Sequence, residues 1–283
     1  MHVLGFHNCF PELRGVIRPT MCLILFAHQM SSEYPLVVAA NRDEFHQRPT
    51  QASHYWPEHP RVLAGRDLQA GGTWMGINRS GRFAAVTNYR DPGKTRPAPR
   101  SRGNLVIDYL QKQLPTEQYL DEVSSAANDY AGFNLLLGDS DQLWYISNSG
   151  PDNERQARRL PPGIYGLSNA SLDTPWPKVQ RGKQVMAAAL HGSIDHDALE
   201  AVVASRQLAS KNQLDLQGLN SEMDELLSAQ FIANEAYGTR ATTTCWSTAV
   251  GEYHWKERNF NAQGELKQAV EEAFRFTNRP GCE

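Results

Sequence analysis

Met21-Cys22-Leu23-Ile24-Leu25-Phe26-Ala27-His28, the polar stretch 29–34, and Pro35-Leu36-Val37-Val38-Ala39-Ala40-Asn41-Arg42-Asp43-Glu44-Phe45 decide how the chain is read. Residues 22–28 and 35–40 are apolar without polar alternation. Such runs, short and joined by a polar loop, read as a β-hairpin whose two strands are covered on both faces. If the strands pair symmetrically about the loop, Cys22 faces Asn41. Neighbouring strands lie about 4.8 Å apart, so Asn41, Arg42, Asp43 and Glu44 arrive at the open end of the hairpin beside Cys22.

That juxtaposition has chemical content. An arginine lowers the pKa of a nearby thiol, and a carboxylate can orient a base. Met21 adds a second element, because a chain starting Met-Cys ordinarily loses the Met. Cys22 would then carry a free α-amino group with an ordinary pKa of about 7.7–8.0, able to act as base for its own thiol. Residues 1–20 stand in the way of this. They mix Pro, Gly and isolated apolar residues without periodicity, and read as a poorly ordered leader or an extension upstream of the true start at Met21. Residues 21–283 read as one domain.

Outward from the first hairpin, residues 73–78 and 82–88 form a second one, with Gly81 closing the turn. Asn88 ends this hairpin opposite Gly71 and Gly72. An asparagine amide there can donate to a developing oxyanion, and the glycines permit close backbone approach. Asn169 closes a later strand and Arg240 opens the last hairpin. Helices are expected over 103–113, 116–130 (with Thr116 as N-cap), 177–190, 197–206 and 219–227. Strands are expected over 133–137, 143–147, 163–167, 239–250 and 252–260. Strand groups alternate with helix pairs, which gives an α+β chain of two antiparallel sheets with helices over their outer faces. The Pro- and Arg-rich stretch 89–102, with Arg90, Lys94, Arg96, Arg100 and Arg102, reads as a solvated mobile loop that could meet a ligand phosphate or carboxylate.

Bulk properties exclude several classes. Of 283 residues, 40% are hydrophobic and 21% charged, and the net charge is −3. This is the composition of an ordinary globular protein, without the basic field of a nucleic-acid binder. No apolar run is long enough to span a bilayer. The N-terminus lacks the apolar core of a secretory signal. The cysteines, at 9, 22, 245 and 282, form no CxxC pair. A zinc site and a disulfide framework are therefore not expected, and a reducing cytoplasm fits best.

The motifs taken together resemble the NRDE family, whose members include the transport-and-Golgi-organisation proteins. The resemblance is carried by Met-Cys-Leu-Ile-Leu-Phe-Ala at 21–27, Asn-Arg-Asp-Glu-Phe at 41–45 and Gly-Gly-Thr-Trp-Met-Gly-Ile-Asn at 71–78. It continues in Thr-Asn-Tyr-Arg at 87–90, Gly-Leu-Ser-Asn at 166–169 and Tyr-Gly-Thr-Arg at 237–240. The family is in turn similar to the choloylglycine hydrolase and penicillin V acylase group. That likeness implies a four-layer αββα N-terminal-nucleophile (Ntn) hydrolase fold and an N-terminal cysteine nucleophile that cleaves linear amides. It implies catalytic roles for Cys22, Arg42, Asp43, Asn88 and Asn169, and substrate-binding roles for Asn41, Gly71, Gly72, Trp74 and Arg240. One departure is visible: the acylase pattern has Arg before the Asn, whereas Arg42 here follows Asn41 and Ala40 takes the expected place.

Two functions follow as expectations. The first is a cysteine Ntn hydrolase acting on a linear amide or related small acyl compound, with no cofactor and no metal. The second is a ligand-binding or trafficking protein on the same scaffold, handling haem or an acyl-CoA-like lipid. Among the histidines, His28, His46, His54 and His59 are haem-ligand candidates by residue type alone.

Overall fold

The first two strands are buried on both faces: β1 (Cys22–His28) is buried at every position and β2 (Leu36–Phe45) at all but its last. The computed structural model describes residues 22–90, 98–151, 155–216, 219 and 221–276. Residues 1–20, expected to form a leader, lie outside the described residues. The chain continues with β3 (Thr50–Trp56), β4 (His59–Asp67), β5 (Met75–Asn78), β6 (Phe83–Asn88), α1 (Gly103–Gln111) and α2 (Thr116–Ser125). Next come β7 (Phe133–Gly138), β8 (Leu143–Ser147), β9 (Arg158–Arg159), β10 (Gly163–Leu167), α3 (Pro177–Ala189) and α4 (His196–Ala201). The last elements are α5 (Lys211–Asp215), α6 (Glu222–Leu226), β11 (Tyr237–Ser247), β12 (Glu252–Phe260) and β13 (Leu266–Arg275).

The strands form two sheets, ordered β10-β1-β2-β11-β12-β13 and β3-β4-β5-β6-β7-β8-β9. Every pairing of neighbouring strands is antiparallel. Period-two geometry then sorts the side chains into layers. Ile24, Phe26, Leu36, Val38 and Ala40 point between the sheets, where they meet Leu63, Met75, Ile77, Phe83, Leu136 and Tyr145. Leu23, Leu25, Val37 and Ala39 point outward onto Val179 and Met186 of α3 and Leu199 of α4. On the outer face of the other sheet, Ala84, Leu135 and Leu137 pack on Leu105, Tyr109 and Leu110 of α1 and on Leu120 and Val123 of α2. The result is the expected αββα sandwich.

The differences from expectation are local. The β1–β2 register is one residue away from the symmetric pairing: Cys22 lies opposite Arg42, not Asn41. A one-residue slip exchanges the two faces of a strand. Strand β2 also runs on through Asn41–Phe45, because β11 pairs with it as far as Phe45. Strands β3, β4 and β13 form where polar sequence gave no strand signal. Thr116 is the first helical residue of α2 rather than its cap, with Pro115 in the cap position. Residues 197–206 hold only the short α4, capped by the Asp195 carboxylate, which accepts from Ala198 N at 2.8 Å. Among the described residues, no helix is long and apolar enough to cross a membrane.

Candidate active site

Cys22 is the first residue of β1 and sits where the ends of both sheets meet. Antiparallel pairing of β1 with β10 brings the residues after β10 beside it. The Cys22 N–H donates to Asn169 Oδ1 at 3.2 Å. Ser168 Oγ donates to the Cys22 carbonyl at 2.9 Å. Asn169 Nδ2 donates to the carbonyl of Asn88 at 2.9 Å, and Asn88 is the last residue of β6 in the other sheet. Thr87 Oγ1 strengthens the seam by donating to Ser168 O at 2.7 Å.

Strand β2 supplies the charges. Its alternation puts Arg42 on the same side as Cys22, facing between the sheets, while Asn41 and Asp43 face the helices. The Asp43 backbone N–H nevertheless points at the Cys22 sulfur. The Asp43 carboxylate is buried, and its Oδ1 accepts from Thr239 Oγ1 at 2.6 Å. Its Oδ2 is buried with no hydrogen-bond partner. An unpaired buried carboxylate oxygen is costly, so this atom marks a place where a donor belongs. Burial, Asp43 and Glu44 push the Cys22 thiol up to about 12, against the lowering pull of Arg42 and of the Asp43 N–H. Burial also raises Asp43 to about 6, opposed mainly by the cation of Lys178, the Thr239 hydroxyl and Arg42.

The cleft above Cys22 has a volume of about 220 Å³. It is lined by Cys22, Arg42 and Asp43 of the first sheet, by Thr73, Trp74 and Asn88 at the β5–β6 hairpin, and by Ser101, Arg102 and Gly103 at the start of α1. Glu44, Arg48 and Asp67 close one end as a charged cluster. Arg48 grips Asp67 Oδ2 through Nε at 2.8 Å and Nη2 at 2.7 Å. Arg42 Nη2 lies 3.8 Å from the same oxygen and 3.9 Å from Glu44 Oε2. Burial alone would raise Asp67, but its hydrogen bonds to Arg48 and Ala70 and the charges of Arg48 and Arg42 hold it below the ordinary carboxylate range.

The two glycines have separate uses. Gly71 has φ +80°, the left-handed conformation that ends the Asp67–Gly72 turn, where a Cβ is disfavoured. Gly72 lets two backbones touch, since a Cβ there would fall 2.5 Å from the carbonyl carbon of Gly103. That contact, with the hydrogen bond from Thr73 N to Gly103 O at 3.3 Å, fixes the wall that carries Arg102.

The structure therefore gathers Cys22, Arg42, Asp43, Asn88, Asn169, Gly72 and Trp74 at one place. Three expected substrate contacts lie elsewhere: Gly71, which sits in the turn before the cleft wall, Asn41 and Arg240. Asn41 is buried on the helix side of β2. Its Nδ2 donates to Val203 O at 2.9 Å and Gln230 O at 2.8 Å, and its Oδ1 accepts from Thr242 Oγ1 at 2.7 Å. Arg240 is the extra residue of a bulge in β11, between Thr239 and Ala241. It donates to the carbonyls of Phe45 at 2.8 Å and Arg48 at 3.1 Å, holding the end of β2 rather than lining the cleft.

Glu44 was placed beside Cys22 without a role, and residues to which sequence reasoning gave no place at the site are Arg48, Asp67, Ser168, Thr239 and Lys178. Glu44 and Arg48 carried one faint signal, four residues apart at the end of an apolar strand. Lys178 carried none. Arg102, read as part of a solvated loop, is instead half-buried in the cleft wall, and its Nη1 donates to Gly132 O at 3.0 Å. Arg90 pairs with Asp224 and Arg100 with Asp108. Lys94 and Arg96 lie outside the described residues. None of His28, His46, His54 and His59 lines the cleft. His46 bonds Asn234 O, and His54 and His59 stack on Trp56.

Two face-to-face antiparallel sheets, helices outside them, and a cysteine opening the first strand define the sandwich of the Ntn-hydrolase-like class. The matching family model is that of Transport and Golgi organisation 2, over residues 21–262. The chain belongs to that family. It is 36% identical over 260 residues to Transport and Golgi organization protein 2 homolog of Bos taurus, covering 84% of this chain and 93% of that one. The Homo sapiens homolog is 34% identical, with the same coverage of 84% and 93%. Among solved structures, a variant of conjugated bile acid hydrolase from Clostridium perfringens superposes with a TM-score of 0.50 at 10% identity. The match spans 91% of this chain and 97% of that one. At that identity it speaks to the fold alone.

Proposed function

We propose that the protein is a cysteine N-terminal-nucleophile amidohydrolase acting on a linear amide or related small acyl compound. One observation carries this reading: Cys22 lines the cleft with its nitrogen held by Asn169, and the charge of Asp43, whose Oδ2 is buried without a donor, acts on it. Freed from Met21, the Cys22 nitrogen keeps its bond to Asn169 and gains hydrogens, one of which Asp43 Oδ2 can accept. The amine then takes the proton of the thiol, and Sγ bonds to the substrate carbonyl carbon. Asn88 donates to the oxygen as its charge develops. The amine returns the proton to the leaving nitrogen as the C–N bond breaks. Water then cleaves the thioester, releasing the carboxylic acid and restoring the thiol. A thiol nucleophile of this kind works in a reducing compartment, which fits the cytoplasm.

The fold alone does not supply the activity. With Cys22 still joined to Met21, the thiol stands at about 12. Only roughly one molecule in 10⁵ is then a thiolate at pH 7. This favours a second reading, a binding or trafficking protein that uses the cleft without chemistry. Haem does not fit that reading at this cleft, since among the described residues no His, Met or Tyr lines it and burial keeps the Cys22 thiol protonated. An electrophilic acyl probe with Cys22→Ala as control separates the two. A hydrolase loses labelling and turnover together in the variant. A protein that binds the probe-related acyl compound equally well with and without Cys22, and never turns it over, is a carrier.

A further inference from the structure

Behind the nucleophile, on the face of β2 turned to the helices, stands a buried lysine. Lys178, the second residue of α3, is 1% exposed. Its Nζ donates to Leu227 O at 2.9 Å and lies 5.6 Å from the Trp176 ring. Segment 227–232 joins it to the back of β2. Gln230 Nε2 donates to Lys178 O at 2.9 Å, and Gln230 O accepts from Asn41 Nδ2 at 2.8 Å. Ile232 N donates at 2.9 Å to Thr239 Oγ1, the hydroxyl that serves Asp43. The charges that act on Asp43 are Lys178 from α3 and Arg42 and Glu44 from β2. Cys22 faces it from β1 and the Thr239 hydroxyl from β11. The charges acting on Lys178 are Asp43 and Cys22. A buried ammonium is costly unless it answers an opposite charge. The carboxylate that acts on it is Asp43, not in ion-pair contact but on the same buried side of β2, joined to it through the 227–232 segment.

We propose that Lys178 is a positioning residue that balances the Asp43 carboxylate beneath Cys22, so that the freed Cys22 amine is neutral enough to accept the thiol proton. The inference rests on the reading of Cys22 as an N-terminal nucleophile. A lone buried carboxylate beside an amine holds it as ammonium, and an ammonium cannot take a proton. The cation of Lys178 offsets that pull while Asp43 still orients the amine. The proton passes from Sγ to the amine nitrogen and never resides on Asp43 or Lys178. Burial lowers Lys178 to about 8 against the pull of Asp43. Asp43 stands at about 6, so both groups are charged around neutral pH.

The test is the pH profile of Cys22 acylation by a neutral acyl probe, in protein expressed from the full sequence, with intact mass recording its first residue. Lys178→Met and Lys178→Gln should move the half-maximal pH upward by about one unit, because removing a nearby like charge makes the ammonium form of the amine easier to keep. Lys178→Arg, which keeps the charge, should leave it near wild type. Circular dichroism shows which variants are folded. Folded neutral variants whose profiles superimpose on wild type overturn the proposal. So does an Arg variant that folds and shifts as far as a charge loss, which decides the matter if the neutral variants do not fold. Wild-type protein that never labels at Cys22 refutes the nucleophile reading instead, so the two failures are distinct.

Discussion

The Cys22 nitrogen donates to Asn169 Oδ1 at 3.2 Å, a contact between residues 147 positions apart. Because Asn169 Nδ2 in turn donates to Asn88 O, one carboxamide ties β1 of the first sheet to the end of β6 in the second. Asn169→Ala should therefore disturb nucleophile and oxyanion side together. We expect Cys22 labelling to fall at least about tenfold, with a stability loss of roughly 1–3 kcal/mol from the unsatisfied Cys22 N–H and Asn88 C=O. Asn169→Asp keeps the acceptor for Cys22 and should label faster than the Ala variant. Equal labelling of Asn169→Ala and wild type would show that this contact has no part in catalysis.

Asn88→Ala should leave the fold intact, since Asn88 is a half-buried strand end whose carbonyl still accepts from Asn169. Turnover of a linear amide should drop by roughly 10²-fold or more, as removal of one oxyanion donor does. The comparison is kcat in Asn88→Ala against Cys22→Ala under the same conditions. Undiminished kcat where Cys22→Ala is inactive removes Asn88 from the oxyanion site.

Asp43→Asn separates chemistry from stability through pH. With Cys22 in amide linkage, the folded Asp43 titrates at about 6, above its ordinary 3.8, chiefly because it is buried. Between these values the unfolded chain has released its proton while the folded chain still holds it. The unfolded state then binds fewer protons, so stability falls as pH rises through that window, by roughly 3 kcal/mol at most. Asp43→Asn abolishes this loss. The melting temperature of wild type minus that of Asp43→Asn should thus decrease from about pH 4 to about pH 6, while Cys22 labelling in the variant is impaired at every pH. A large, pH-independent loss of stability with normal labelling would assign Asp43 a structural role only.

Much of this was legible in the sequence, and the misses have physical reasons. Two apolar runs without alternation were enough to locate a doubly covered hairpin and to bring Arg42 and Asp43 to Cys22. The register differs by one residue because Pro35 belongs to the loop and not to the strand: β2 begins at Leu36, opposite His28, and Gln29 N donates to Pro35 O at 2.7 Å across the loop. That slip bears directly on Asn41, whose side chain belongs to the helix layer. Strand β4 contains His59-Pro60-Arg61, and β13 reads Leu-Lys-Gln-Ala-Val-Glu-Glu-Ala-Phe-Arg, half-exposed and charged. Pairing with neighbours, not intrinsic preference, makes them strands. Lys178 and Asp67 reach the site only through tertiary packing, so their spacing in sequence carries no trace of it.

Gly72→Ala should damage the cleft from its wall. The added Cβ would fall 2.5 Å from Gly103 C and 2.8 Å from Gly103 O, backbone atoms with no rotamer to escape by. Overpacking of this kind costs roughly 1–3 kcal/mol. The strain should also displace Arg102, next to Gly103. The expected outcome is a lower midpoint in urea unfolding together with slower Cys22 labelling. Gly71→Ala, at φ +80° with nothing within 4 Å, should be destabilised by backbone strain while the packing of the wall survives. Two variants with the same labelling rate as wild type would show that the wall does not govern access to Cys22.

The last prediction concerns the peptide bond before Cys22. As an amide, the Cys22 nitrogen cannot accept a proton near neutral pH, and the thiol is held at about 12 by burial and by Asp43. As an amine it titrates at about 7.7–8.0 before its surroundings act, close to where a general base is useful. We expect one of the new hydrogens to go to Asp43 Oδ2, which is buried without a partner. Both deficiencies of the site are removed by one cleavage, so the active species should begin at Cys22. Translation starting at Met21 followed by routine Met removal is the simpler route, and cutting of a propeptide at the Met21–Cys22 bond is the other. Intact mass of protein from its native host, fraction by fraction with labelling activity, distinguishes active from inactive forms. Protein forced to begin at Met21 by blocking Met removal should be folded, with an unchanged melting temperature, yet unlabelled. If the active fraction instead retains residues 1–20, the amine cannot be the base, and the binding or trafficking reading takes its place.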